Sequence, residues 1–179
     1  QLAVSFRNLV LPQQTHGDTI GLVTCANVDS TFASTDALIT NQSKVCIAIK
    51  TADCVPVLLY DPVQKAIAAI HSGWRSTVLN IVGKTIGQLE AHYGCKPQNI
   101  IAAIGPCIGK NHYEVGPDVA IQFETPDFLG KNILSYIQGS SGKAMLDLRK
   151  AILLQLIQKG VDNERIDVSD ECTFENSQL

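Results

Sequence analysis

Apolar residues in this chain come in runs of five or six and no longer, each stopped by turn-forming residues. Runs of that length, rich in Val and Ile and bounded by Gly, Pro, Asn or Asp, read as buried strands rather than as helices. Strands are expected at about 19–24, 37–40, 45–50, 55–60, 66–70 and 100–104, with another near 166–169. Most follow one another with no room for a crossover helix. That argues for a mixed or antiparallel sheet covered by helices, an α+β protein. The same run lengths fall far short of the ~18 consecutive apolar residues of a membrane span, so no membrane partner is expected.

Two helices are legible. After Ser76 and Thr77, either a suitable N-cap, Val78, Val82, Ile86 and Leu89 recur with helical spacing, and Gly94 is the expected stop. Gly83 and Gly87 weaken that helix from within. A second helix starts after Asp147 and runs to Gly160, apolar nearly all round and hence buried. A shorter one is expected after Gly116 and Pro117. The 55–60 and 66–70 runs flank Asp61-Pro62-Val63-Gln64, which suits a type I turn. With Pro62 and Val63 at its centre, Tyr60 faces Lys65 and Cys54 faces His71, a thiol beside an imidazole at the open end of the hairpin.

At 179 residues the chain is one domain, 1–179, and large enough to bury a core without covalent staples. Its net charge of −3, with no dense Lys/Arg run, argues against nucleic acid as a partner. Six Cys are spread over the chain without a CxxC pair. Neither a zinc ribbon nor a thioredoxin motif is present, and reduced thiols in a cytoplasmic protein are expected.

Three peptides look chemical: the loop Gln13-Gln14-Thr15-His16-Gly17-Asp18, the strand entry Thr51-Ala52-Asp53-Cys54, and His71-Ser72-Gly73-Trp74-Arg75. His16, Cys54 and His71 would make a three-ligand metal site with its fourth position open, the arrangement of catalytic zinc, with copper as the alternative. Arg75, one turn before a helix start, could hold an anion such as phosphate. Asp53 is a candidate proton-transfer group. Cys107, in the tight loop Gly105-Pro106-Cys107-Ile108-Gly109, could act as a nucleophile with His71 as its base. His92 reads as a surface or helix-end group, and His112, beside Tyr113 and Glu114, has no partner that spacing identifies.

The series Gln14-x-His16-Gly17, Asp36-Ala37-Leu38-Ile39-Thr40, Thr51-Ala52-Asp53-Cys54 with Pro56, His71-Ser72-Gly73-Trp74-Arg75, Gly105-Pro106-Cys107-Ile108-Gly109, Tyr113-Glu114-Val115-Gly116 and Cys172-Thr173 resembles the laccase-domain family. That family is labelled multicopper polyphenol oxidoreductase and regarded as purine nucleoside phosphorylases. The resemblance implies a sandwich of two mixed β-sheets flanked by helices. It implies zinc held by His16, Cys54 and His71; phosphate is then expected at Arg75 or the 105–109 loop, and Gln14 is a further candidate for substrate or phosphate binding. The implied activity is phosphorolysis of adenosine, inosine and methylthioadenosine, with adenosine deamination attributed to the same site. Nucleoside and phosphate would then be the partners. Other readings are a Cys/His hydrolase, including peptidoglycan-precursor editing, a copper-dependent polyphenol oxidase, and a metal-stabilised module without activity. Relative to the family pattern, segments upstream of the Gln14 loop and beyond Cys172-Thr173 are expected to be missing.

Overall fold

The computed structural model describes residues 9–176. Its strands are β1 (Leu9–Val10), β2 (Ile20–Leu22), β3 (Ala37–Thr40), β4 (Cys46–Ile47), β5 (Val55–Asp61), β6 (Ala66–Ser72), β7 (Ile101–Ile104), β8 (Glu114–Val115), β9 (Leu134–Tyr136), β10 (Ala144–Leu146) and β11 (Ile166–Val168). The α-helices are α1 (Trp74–Val78), α2 (Ile81–Tyr93), α3 (Pro117–Ala120) and α4 (Leu148–Gln158).

A mixed sheet in the order β11-β7-β5-β6-β3-β2 forms the body of the molecule, with parallel pairs at its two edges and antiparallel pairs between them. The α+β expectation holds. The run at 45–50 contributes only β4, which leaves the main sheet and pairs in parallel with β1. The antiparallel set β8-β10-β9 was not foreseen, because its strands are two or three residues long and carry little apolar signal.

The central hairpin is closed two residues away from the register read off the turn. Asp61 opposes Ala66, Tyr60 opposes Ile67 and Pro56 opposes His71. The reason is Asp61 itself. Its buried carboxylate accepts from the amides of Val63 (2.8 Å) and Gln64 (3.1 Å), and Lys65 completes the loop with a left-handed φ of 54°. A slip of two keeps every side chain on its face, since the pleat repeats every two residues. Cys54, two positions before Pro56, therefore stays on the His71 side, as a diagonal neighbour rather than the directly opposed residue.

Val55, Val57 and Leu59 of β5 with Ala68 and Ile70 of β6 form the face that is buried under the helices. α2 lies over β6, β3 and β2 and against α4, bringing Val82, Ile86, Leu89, Ile152 and Leu156 into one core. On the opposite face, Val10, Val23 and Leu38 make a smaller cluster with Phe32 and Ile47. That face also carries Pro56 and His71.

The first predicted helix is two. α1 begins at Trp74, so Ser76 and Thr77 are not caps but buried residues inside it. Thr77 donates its hydroxyl to the Gly73 carbonyl (2.9 Å) and meets the Ser72 hydroxyl (2.9 Å), while its own carbonyl accepts from Gln155 (2.7 Å). Asn80 then breaks the helix. It takes a left-handed φ of 58°, and its side chain caps α2 by accepting from the Gly83 amide. A Cβ on Gly83 would lie 2.6 Å from the Asn80 side-chain oxygen, so this glycine is needed for the cap rather than merely tolerated. Gly94 ends α2 with a φ of 68°, as expected, and Asp147 caps α4 by accepting from the Lys150 amide (2.9 Å).

Candidate metal centre

Asp36, fully buried at the entrance of β3, organises the site. One of its carboxylate oxygens accepts from the His16 amide (2.9 Å) and the other from those of Gly17 (2.9 Å) and Thr15 (3.1 Å). These bonds curl the 15–17 loop around the carboxylate and hold His16 at a left-handed φ of 61°. The same carboxylate takes a hydrogen bond from Nδ1 of His71 (2.8 Å), which is itself only 4% exposed. Burial works to raise the Asp36 pKa. The bond from His71 and those from Gly17, Thr15 and His16 outweigh it and hold the group below the usual carboxylate value. An ionised Asp36 fixes the His71 proton on Nδ1 and leaves Nε2 as an acceptor, the arrangement that orients histidine ligands towards metals.

The imidazoles of His16 and His71 meet edge to face, 4.8 Å between centroids. Their nitrogens and the Cys54 sulfur all lie within 4.8 Å of one another, a spacing that one ion could bridge with small adjustments. Gly73 makes the approach possible. A Cβ there would sit 3.0 Å from the Cys54 sulfur and 3.1 Å from a His16 ring carbon. Burial, followed by the charges of Asp53, Asp36 and Cys107, pushes the Cys54 thiol up. Ionising that thiol needs a counter-charge, which a bound cation would supply. The donor set therefore fits a divalent ion of the zinc or copper class.

The other sequence candidates are distributed around this trio. Arg75 is the second residue of α1, not a group preceding a helix, and its exposed guanidinium lies 4.6 Å over the Trp74 ring. Gln14 uses both ends of its amide on the backbone of Lys50, donating to the carbonyl (2.7 Å) and accepting from the N–H (2.8 Å), so it braces the His16 loop. Asp53 accepts from the Thr173 hydroxyl (2.7 Å), and its carbonyl accepts from the Ile108 amide (3.0 Å). Cys107 is wholly buried, and burial holds its thiol high although Arg149 opposes that effect. His92 bonds to Gln88 (3.1 Å) near the end of α2.

Two residues without an assigned role emerge. Asp36 was visible only as part of a motif, because its partners lie 19 to 35 positions away. Tyr113 is the other. Burial, with the nearby Cys54 charge, pushes its phenol up to about 12, Arg75 opposing and Asp53 adding. It therefore remains a protonated donor at neutral pH.

The whole chain, residues 1–179, matches the family described as multi-copper polyphenol oxidoreductase laccase. A purine nucleoside phosphorylase of Bacteroides thetaiotaomicron is 37% identical over 93% of this chain and 64% of its own length. An enzyme named adenosine deaminase RL5, from an unknown prokaryotic organism, is 33% identical over 97% of this chain and 68% of its own. The crystal structure of YlmD from Geobacillus stearothermophilus superimposes with a TM-score of 0.89 at 31% identity, covering 99% of this chain and 68% of that one. The chain thus spans about two thirds of the length of these relatives.

Proposed function

The chain belongs to the multi-copper polyphenol oxidoreductase laccase family, and from that membership and the geometry of the trio we propose that it is a zinc-dependent purine nucleoside phosphorylase acting on adenosine and inosine. The observation that carries the reading is the convergence of His16, Cys54 and His71 on one point, with Asp36 fixing the tautomer of His71. These three residues would hold the ion, which would supply Lewis acidity when bound.

Phosphorolysis breaks the bond between the purine nitrogen and ribose C1′ and forms one from C1′ to a phosphate oxygen. The departing base takes up a proton, and nothing is oxidised or reduced. Arg75, exposed and held against Trp74, is the cation that positions the phosphate. Tyr113, whose phenol feels the charges of Cys54, Arg75 and Asp53, presents a neutral hydroxyl suited to hydrogen-bonding the substrate. Asp53 and Gln14 support the site through their bonds to Thr173 and Lys50, and Cys107 packs beneath it.

Inosine with inorganic phosphate should yield hypoxanthine and ribose 1-phosphate, and omission of phosphate should abolish the yield. Cys54→Ala should lose both the ion at this site and turnover. Turnover that needs no phosphate would instead identify a hydrolase. Adenosine deamination at the same centre is a second reading, favoured by the relative named for it; phosphate-independent conversion of adenosine to inosine would establish it. A copper phenol oxidase is disfavoured by ligand supply. The chain has four His, too few to build the several His-rich clusters that four-electron reduction of oxygen requires.

A further inference from the structure

We propose that His112, Cys172 and Glu175 form a second site for a divalent metal of the zinc class, a clasp that fastens the 171–176 turn to the loop following β7. His112 comes from the loop after β7, and Cys172 and Glu175 come from the segment after β11. Backbone pairing brings them together: the Cys107 amide donates to the Glu171 carbonyl (3.5 Å), the Thr173 amide to that of Cys107 (3.1 Å), and Cys107 and Cys172 form a parallel bridge.

The imidazole nitrogen, the sulfur and a carboxylate oxygen lie within 4.8 Å of one another. His112 Nε2 donates to Glu175 Oε1 at 2.6 Å, and the His112 ring stacks on Phe174, 4.6 Å between centroids and 19° between planes. The stacking and the hydrogen bond together fix the plane of the ring. The Gly109 amide donates to the Cys172 sulfur at 3.1 Å, a bond that orients the sulfur from outside the ligand set. Only glycine permits it, since a Cβ at Gly109 would lie 3.0 Å from that sulfur.

Imidazole, thiolate and carboxylate together carry two negative charges, the complement of a divalent ion, and the thiolate and imidazole select zinc over magnesium or calcium. All three side chains border a cavity of about 340 Å³, which leaves room for a water in the fourth position. Lys110, Arg149 and Lys150 also line this cavity, balanced by Asp147 and Asp170. The consequence is positional. Thr173, between two of these ligands and their stacking neighbour, donates to Asp53, next to Cys54. A metal clasp would hold that bond in place.

The test is zinc stoichiometry in the purified full chain and three variants, after loading and removal of loosely held ion. The wild type should hold about two equivalents, Cys54→Ala about one, and Cys54→Ala with His112→Ala none. In Cys54→Ala loaded with cobalt, a thiolate-to-cobalt charge-transfer band should persist, and Cys54→Ala with Glu175→Gln should shift or weaken it. A single equivalent in the wild type that Cys54→Ala removes would overturn the clasp and leave the first centre standing. A single equivalent that survives Cys54→Ala but is lost when His112→Ala is added to it would uphold the clasp and overturn the first centre. Zinc retained in Cys54→Ala with His112→Ala also overturns the clasp.

Discussion

Gly73 shows how closely the site is assembled around one missing methyl group. Its backbone is ordinary, φ −78°, so an alanine there carries no conformational strain. The cost is spatial, because the new carbon would fall 3.0 Å from the Cys54 sulfur and 3.1 Å from His16. Gly73→Ala should therefore fold and yet bind the ion at least about tenfold more weakly, as competition with a chromophoric chelator would measure. Cys95 carries a separate prediction. Burial, then the charge and hydrogen bond of Asp61, pushes its thiol up to about 12 from 9.0. A thiol whose pKa is raised by folding contributes stability that is whole below the unfolded value and is lost as pH climbs towards the folded one. Stability to urea should fall between pH 9 and 12, and Cys95→Ser should flatten that slope whatever its effect at neutral pH.

At the scale of elements, the strands of the core were legible because each is a short apolar run with turn residues on both sides. β3 was anticipated to the residue, and β5 and β6 to within one or two residues. The failures have local causes. Hydrogen bonds from the Val63 and Gln64 amides to the Asp61 carboxylate reset the hairpin register, which a backbone turn type does not encode. The short strands β8 to β10 are defined by their partners rather than by their composition. The break between α1 and α2 comes from Asn80, whose cap and left-handed backbone interrupt a stripe that otherwise looks continuous. Asn80→Ala removes the cap and forces alanine into that conformation, for an expected loss of about 2 kcal/mol. Asn80→Gly keeps the backbone and should cost only a few tenths, ~0.3 kcal/mol, in the same denaturant titration.

Over the whole molecule, the candidate centre joins three segments that are distant in sequence and meet at one end of the sheet. Their chemistry is readable from residue type, since a thiol and two imidazoles are donors suited to zinc or copper. What pattern alone did not supply was the agent of convergence. Asp36 binds the loop on one side and His71 on the other, and no period links residues so far apart. The described residues contain no helix long and apolar enough to cross a membrane, in line with the brevity of the apolar runs.

An ion at His16, Cys54 and His71 is predicted to be required for nucleoside phosphorolysis. Hypoxanthine release from inosine in phosphate, measured on exhaustively chelated protein before and after zinc is restored, tests it most directly. Release should drop to background on chelation and recover when zinc is returned. Undiminished release from the metal-free protein would contradict the account.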